Sequence, residues 1–184
     1  MAGGMVRHEE NVVLEDARLT YLNFRGEGGM YNRDGDRNFS VILEHDKAVE
    51  LEAAGWNIKW RAPREEGDDP TPILSVSVNY SNRPPRIVMI TSKRRNHLPE
   101  DIVDQLDYVD IEMADLVIRP YDWGPINGKS GRKAYLRTLF ITIYEDPIEL
   151  KYAEMMKRPL AIEADEVLDA EVIDDSWETQ QIGQ

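Results

Sequence analysis

Arg119, Tyr121 and Trp123 are spaced two apart, as are Lys133, Tyr135 and Arg137. In an extended strand, residues two apart point to the same face. Each triplet therefore sets cations and aromatic rings side by side. If the two segments are the arms of a hairpin in register, these six side chains coat one surface. Cations in such a row can track phosphates. Aromatic rings can stack on unpaired bases, at about 1–3 kcal/mol per base. Between the arms, Lys129 and Arg132 stand among Gly124, Gly128 and Gly131, where bare backbone can approach a phosphate. Leu116, Ile118, Leu136 and Phe140 have the opposite parity and predict the buried side. Leu139 and Ile141 continue the parity of Arg137, so the exposed face must turn inward there. A solvated hairpin with partly buried Tyr and Trp is the plainer account of the same spacing.

Three other groups carry related chemistry. The segment RGEGGMYNRDGDRN, residues 25–38, reads as a mobile glycine-rich loop holding Arg25, Arg33 and Arg37 beside Phe24 and Tyr31. Such a loop can clamp a strand, or can simply be a long hairpin loop. Lys59 and Arg61 alternate with Trp60, and their polar face matches that of Ser75, Ser77 and Asn79. The triplet Lys93, Arg94 and Arg95 is a further candidate phosphate contact.

Other chemistries fit less well. Gly124 to Ser130 imitates a phosphate loop, but it has three residues between its glycines, and no helix is predicted after it. Asn32 to Asp36 resembles the start of a calcium loop without the bidentate glutamate that should follow. His8, His45 and His97 are scattered, and cysteine is absent, so no Cys-based metal site, disulfide or thiolate nucleophile is expected. Asp107, Asp110, Glu112 and Asp115 are the nearest approach to a catalytic acid cluster, and a solvated acidic surface is the plainer account of them. The expectation is a protein without enzymatic activity or cofactor.

Short runs of period two surround these groups. Strands are predicted over 12–24, 39–43, 56–61, 73–80, 86–92, 115–121 and 133–144, with the segment WGPINGKSGR as the hairpin loop. Helices are predicted at 47–54, with Asp46 as N-cap and Gly55 as stop, at 99–106 from Pro99, and over 148–158. Closely spaced strands with few helices predict a mainly β chain. The expected form is an OB-fold-like Greek-key barrel of five to seven strands, with two or three short helices; a sandwich is the alternative.

Charge divides the chain. The net charge is −13, from 22 basic and 35 acidic residues. Eight of those acids lie between Glu163 and Glu178, where Lys and Arg are absent, which leaves 27 acids against 22 basic residues in the remainder. The expected organisation is a flexible start over 1–10, a single-strand-binding barrel over 11–160, and a disordered acidic tail over 161–184. No apolar run approaches the ~18 residues of a membrane span. The first residues also lack a hydrophobic signal core, so a cytoplasmic protein is expected.

Three segments carry a family resemblance: the run from Ala17 to Leu43, the segment GWNIKW, and the block from Asp115 to Ile143. Together they resemble single-stranded DNA-binding proteins of tailed phages, over roughly residues 12–146. The resemblance implies an OB-fold that coats single strands during replication and recombination in the host cytoplasm. It also implies an acidic tail that recruits replication or recombination proteins. Asp174, Asp175 and Trp177 are the acidic-aromatic residues of that tail, although here the chain continues through TQQIGQ. A homo-oligomer is compatible with this reading. The competing reading is an acidic protein-interaction factor, such as a DNA mimic or a phage anti-defence protein. A mimic has no reason to set Arg119, Lys133 and Arg137 beside aromatic rings.

Overall fold

The computed structural model describes residues 11–157. The predicted flexible start, and the tail with Asp174, Asp175 and Trp177, lie outside the described residues. The chain divides into two compact units at Pro147. The first is mainly β.

Its strands are β1 (Val12–Asn23), β2 (Arg37–Ile42), β3 (Ile58–Arg61), β4 (Thr71–Val78), β5 (Arg86–Ile90), β6 (Arg95–His97), β7 (Ile111–Ile126) and β8 (Lys129–Ile143). Helix α1 (His45–Ala53) lies between β2 and β3, and a 3-10 helix (Val103–Tyr108) precedes β7. The second unit begins with helix α2 (Pro147–Lys157). Among the described residues, no helix is long and apolar enough to cross a membrane.

Five strands close a barrel. β1 pairs with β2, β2 with β4, β4 with β8, β8 with β7, and β7 returns to β1. All these pairings are antiparallel except β4 with β8, which closes the barrel in parallel through Val76↔Ala134 and Ser77↔Tyr135. This is the five-stranded Greek-key barrel of the OB-fold. β3 widens the sheet beside β4, and β5 with β6 widens it beside β8.

One strand serves two neighbours because it bends. β1 breaks register between Leu14 and Ala17 and again between Thr20 and Asn23. Asp16 and Tyr21, inside these breaks, adopt φ of 50° and 51°. Such bulges sharpen the coil of a strand. The first part of β1 can therefore follow β7 and the last part β2.

The interior is built from alternating apolar residues, among them Phe39, Val41, Leu74, Val76, Leu116, Ile118 and Leu136. Ala48 and Leu51 of α1 and Val103 and Leu106 of the 3-10 helix join the same core. Burying each large aliphatic side chain stabilises by about 1.5–3 kcal/mol relative to exposure.

Several sequence expectations are corrected here. The predicted loop at 123–132 is mostly strand. β7 and β8 run on to a two-residue turn at Asn127-Gly128, with φ of 51° and 75°. Both central residues are left-handed, as a tight hairpin of this kind requires. The helix expected from Pro99 forms later, over Val103–Tyr108, and is a 3-10 helix. Asp46 lies in the first turn of α1, whose N-cap position is Glu44. β6 was not foreseen.

The parity conflict in β8 has a local solution. Val117 pairs with Thr138 while Ile118 pairs with Leu136, so Arg137 is an extra residue in a bulge. The bulge inverts the alternation. Ala134 and Leu136 are buried before it, Leu139 and Ile141 after it. Phe140, expected in the core, is half-buried and lies under the Arg86 guanidinium at 5.5 Å. Around this bulge β8 exchanges its parallel neighbour, from β4 at Tyr135 to β5 at Thr138.

Candidate nucleic-acid interface

The register of β7 and β8 brings the two triplets together. Arg119 lies opposite Tyr135, and Tyr121 opposite Lys133. Arg119 and Lys133 sit over the Tyr135 ring at 5.1 Å and 5.3 Å from its centroid. Tyr121 meets the same ring edge-on at 5.7 Å. Tyr135 is thus a scaffold more than a stacking surface. It fixes two cations at one site, each contact contributing about 0.5–1 kcal/mol where exposed. The rings left open are Tyr121, 51% exposed, and Trp123, 37% exposed. Trp123 lies across Gly131, its partner in the ladder. A Cβ at Gly131 would stand 2.9 Å from the indole, so only glycine admits this arrangement.

Tyr135 also reaches the barrel wall, because β4 pairs with β8 at Ser77↔Tyr135. A cleft of about 430 Å³ opens there, lined by residues of the 31–38 segment, by Ser77 to Ser81, and by Glu100, Lys133 and Tyr135. In OB-folds the second and third barrel strands and their adjoining loops bind oligonucleotides. Here those strands are β2 and β4.

The loop before β2 forms one wall of that cleft and is tied together by its own hydrogen bonds. The Asn32 side-chain amide donates to the carbonyls of Glu27, Arg33 and Asp36. The Gly35 N–H donates to the Gly26 carbonyl at 2.8 Å. Tyr31, at its tip, is 96% exposed and lines the cleft. Arg33 is also exposed. Arg37 donates to Glu100 at 2.8 Å and covers the Tyr80 ring at 5.6 Å. Burial pushes the Tyr80 hydroxyl up to about 12; Glu100 adds to this and Arg37 opposes it.

Two expected site residues belong elsewhere. Phe24 is fully buried and stacks on Phe39 at 5.3 Å, so it is a core residue. The bulge after Thr20 resets the alternation of β1 and turns this ring inward. Arg132 lies on the opposite face of β8 from Lys133. Its guanidinium donates to both Asp122 oxygens at 2.8 Å and 3.0 Å and to the Ala54 carbonyl at 3.0 Å. It also lies over Trp56 at 5.6 Å. These contacts tie the hairpin to the end of α1, and they make Arg132 a structural residue.

The remaining cations are more dispersed. Arg25 is paired with Glu27 and donates to the Tyr108 hydroxyl, and the Glu27 contact raises its pKa further. Lys129 is exposed at the hairpin turn, and Arg137 is exposed in the bulge. Lys59 and Arg61 pair with Ile73 and Thr71, about 13 Å and about 20 Å along β4 from Ser77. Arg61 lies over the Tyr21 ring at 4.7 Å. Lys93 and Arg94 form the turn between β5 and β6, and Arg95 opens β6. The ladder places Arg95 level with Thr142, about 23 Å along β8 from Tyr135. The structure thus groups Arg119, Tyr121, Trp123, Lys133 and Tyr135 and leaves the other cations around them.

The acids Asp107 and Asp115 have structural partners. Asp107 accepts the backbone N–H groups of Phe24 and Arg25, and Asp115 accepts that of Asp16. Among the described residues, no group of acids and histidines is arranged to hold a metal ion. The sequence reading missed Asn38, Tyr80, Ser81 and Glu100 in the cleft and Tyr21 beneath Arg61. Tyr80 follows β4 in the parity of the buried Val76 and Val78. Nothing local marked Glu100, which reaches the cleft from the segment after β6.

Comparison with known proteins places the chain in a family. A family model described as "Putative phage ssDNA-binding domain" matches residues 2–183. No curated protein matches. Among solved structures, the single-stranded DNA-binding protein from bacteriophage Enc34 in complex with ssDNA gives a TM-score of 0.50 at 13% identity. That match covers 74% of this chain and 88% of the other. A C-terminal truncation of the Enc34 protein gives 0.48 at 14% identity, covering 74% and 87%. At such identity the likeness concerns the fold alone, while the family model spans nearly the whole chain. The chain belongs to the phage ssDNA-binding domain family.

Proposed function

We propose that this protein binds single-stranded DNA across the outer face of β8 and β4, without enzymatic activity of its own. The observation that carries this reading is the array on the β7–β8 hairpin. Arg119 and Lys133 are held over Tyr135, with Tyr121 and Trp123 exposed beside them. Family membership points the same way, as does the Enc34 protein, whose solved complex contains ssDNA. The cations meet phosphates and the open rings stack on bases. A duplex, with its bases already stacked and paired, offers the rings nothing. Lys59, Arg61, Lys93, Arg94, Arg95, Lys129 and Arg137 extend the positive field around this centre.

The biological setting we infer is the coating of single strands during phage DNA replication and recombination in the host cytoplasm. The acidic tail over 161–184 serves two purposes in this reading. Asp174, Asp175 and Trp177 recruit replication or recombination proteins, and the tail's eight acids compete with DNA for the cationic face. The test is a titration of the full chain, and of a chain ending at residue 160, with a labelled mixed-sequence single strand and the matching duplex. Single-strand preference is expected for both, with tighter binding after truncation. Absence of single-strand binding in both overturns the reading. Equal affinity before and after truncation removes the competing role of the tail.

A further inference from the structure

The face of β8 that carries Tyr135 does not end at the bulge. Ala134 and Leu136 are buried before Arg137, and Leu139 and Ile141 after it. Tyr135 and Phe140 alternate with these residues and so share the outer face of the strand. Beyond the bulge β5 replaces β4 beside β8, with Arg86 level with Thr138, Val88 with Phe140 and Ile90 with Thr142. Residues level with one another share a face. Arg86 therefore joins the face of Phe140, and so does Arg95, which pairs with Ile90. The outer face thus carries Arg119 and Lys133 over Tyr135, then Arg137, then Arg86 over Phe140 at 5.5 Å, then Arg95. The device at Tyr135 is repeated at Phe140, a cation laid on a ring. Among the described residues no carboxylate pairs with Arg86 or Arg137. Asp115, which lies opposite Phe140 on β7, accepts the Asp16 N–H at 2.9 Å. A guanidinium held by a ring and free of a counter-ion keeps its N–H groups for an anion from outside. Four residues of β7 separate the levels of the two sites, about 14 Å.

We propose that Arg86, held on Phe140, is a second phosphate-contact site for the same single strand, which runs from Tyr121 past Tyr135 along β8 and over the bulge to β5. The inference rests on the reading of the protein as a single-strand binder and adds the path by which the strand leaves the barrel. β5 lies outside the five barrel strands, so the closed barrel alone does not supply this contact. The guanidinium covers the Phe140 ring, so the site holds backbone and does not stack on a base. It therefore reads no sequence, as coating of any single strand requires. Arg137, exposed in the bulge, puts a further cation between the two sites.

The test compares the full chain with its Arg86→Gln variant by anisotropy, using labelled dT strands of about 16 and about 4 nucleotides, the limits of site size for such a fold. Arg86 is exposed, so the substitution leaves the core untouched. One lost phosphate contact makes the slope of log K against log salt shallower by about 0.7, which is about fivefold in affinity at about 100 mM salt. That loss is expected with the long strand. The short strand occupies the Tyr135 cluster alone and should bind both chains within about twofold. Arg64→Gln removes the same charge from the loop between β3 and β4 and, through screening, should change either affinity by less than about twofold. Unchanged binding of the long strand by Arg86→Gln, an equal loss on both lengths, or a loss that Arg64→Gln matches overturns the proposal and leaves single-strand binding intact. Failure of the unaltered chain to bind either strand sinks the underlying reading instead.

Discussion

Neutralising the two cations that Tyr135 holds should change how binding depends on salt. The perturbation is Arg119→Gln with Lys133→Gln. Both side chains sit over one ring, at 5.1 Å and 5.3 Å, so they present two positive charges to adjacent stretches of backbone. Each phosphate contact on a single strand contributes about 0.7 to the slope of log K against log salt. Losing two makes the slope shallower by about 1.4. Between 50 and 200 mM salt, the affinity loss should then be about sevenfold smaller than for the unaltered chain. The assay is a salt series by fluorescence anisotropy with a mixed-sequence single strand. Stability should fall by no more than about 1–2 kcal/mol, the worth of two exposed cation–ring contacts. Arg132→Gln is the contrasting variant. Its guanidinium is engaged by Asp122 and Ala54, so it should cost about 1 kcal/mol of stability and leave the salt slope unchanged. A double variant with an unaltered slope, or an Arg132 variant with the larger slope change, refutes the reasoning.

Three further outcomes follow from the same geometry. Tyr121→Ala should weaken single-strand binding by about 1–3 kcal/mol at every salt concentration, because a lost stacking contact releases no counterions. Gly131→Ala should mimic Trp123→Ala in anisotropy titrations, since the added Cβ would stand 2.9 Å from the indole and displace it. Phe24→Ala should lower unfolding free energy by about 3–5 kcal/mol in denaturant titrations, as expected for an aromatic removed from a closed core. The fourth concerns pH. Burial pushes the Tyr80 hydroxyl up to about 12 in the folded chain, against the ordinary tyrosine value of 10.0. A raised acid is stabilised as its neutral form, so folding should be insensitive to this group below pH 10 and weakened as pH climbs towards 12. Comparing the alkaline limbs of the unaltered chain and Tyr80→Phe isolates the effect.

The parts of this fold that local spacing controls were legible in the sequence. Alternation marked most strands, and parity placed Arg119, Tyr121, Lys133 and Tyr135 on one face. The errors share a physical cause, which is that single residues inserted in a strand reverse everything after them. The bulge at Arg137 exchanged Phe140 for Leu139 and Ile141 in the core. Phe24 was grouped with the cations of the following loop, and the second break in β1, between Thr20 and Asn23, carries it into the core beside Phe39. The Asn127-Gly128 pair was a local signal that went unused, and reading it would have moved Arg132 from a loop to the wrong face for binding. The cleft was beyond local reasoning. It exists because Ser77 pairs in parallel with Tyr135 and because Glu100 returns to Arg37. Such contacts are set by closure of the barrel and leave no periodic trace.

The central claim is that DNA lies along the β8 and β4 face, over the Arg119–Tyr135 cluster. Photocross-linking with single strands carrying iodinated pyrimidines, followed by peptide mapping, tests it most directly. Adducts are expected at Tyr121, Trp123 and Tyr31, lost when unlabelled single strand is added and persisting when duplex is added. Adducts confined to α1 or to the β5–β6 hairpin, with none on the β7–β8 arms, would contradict it.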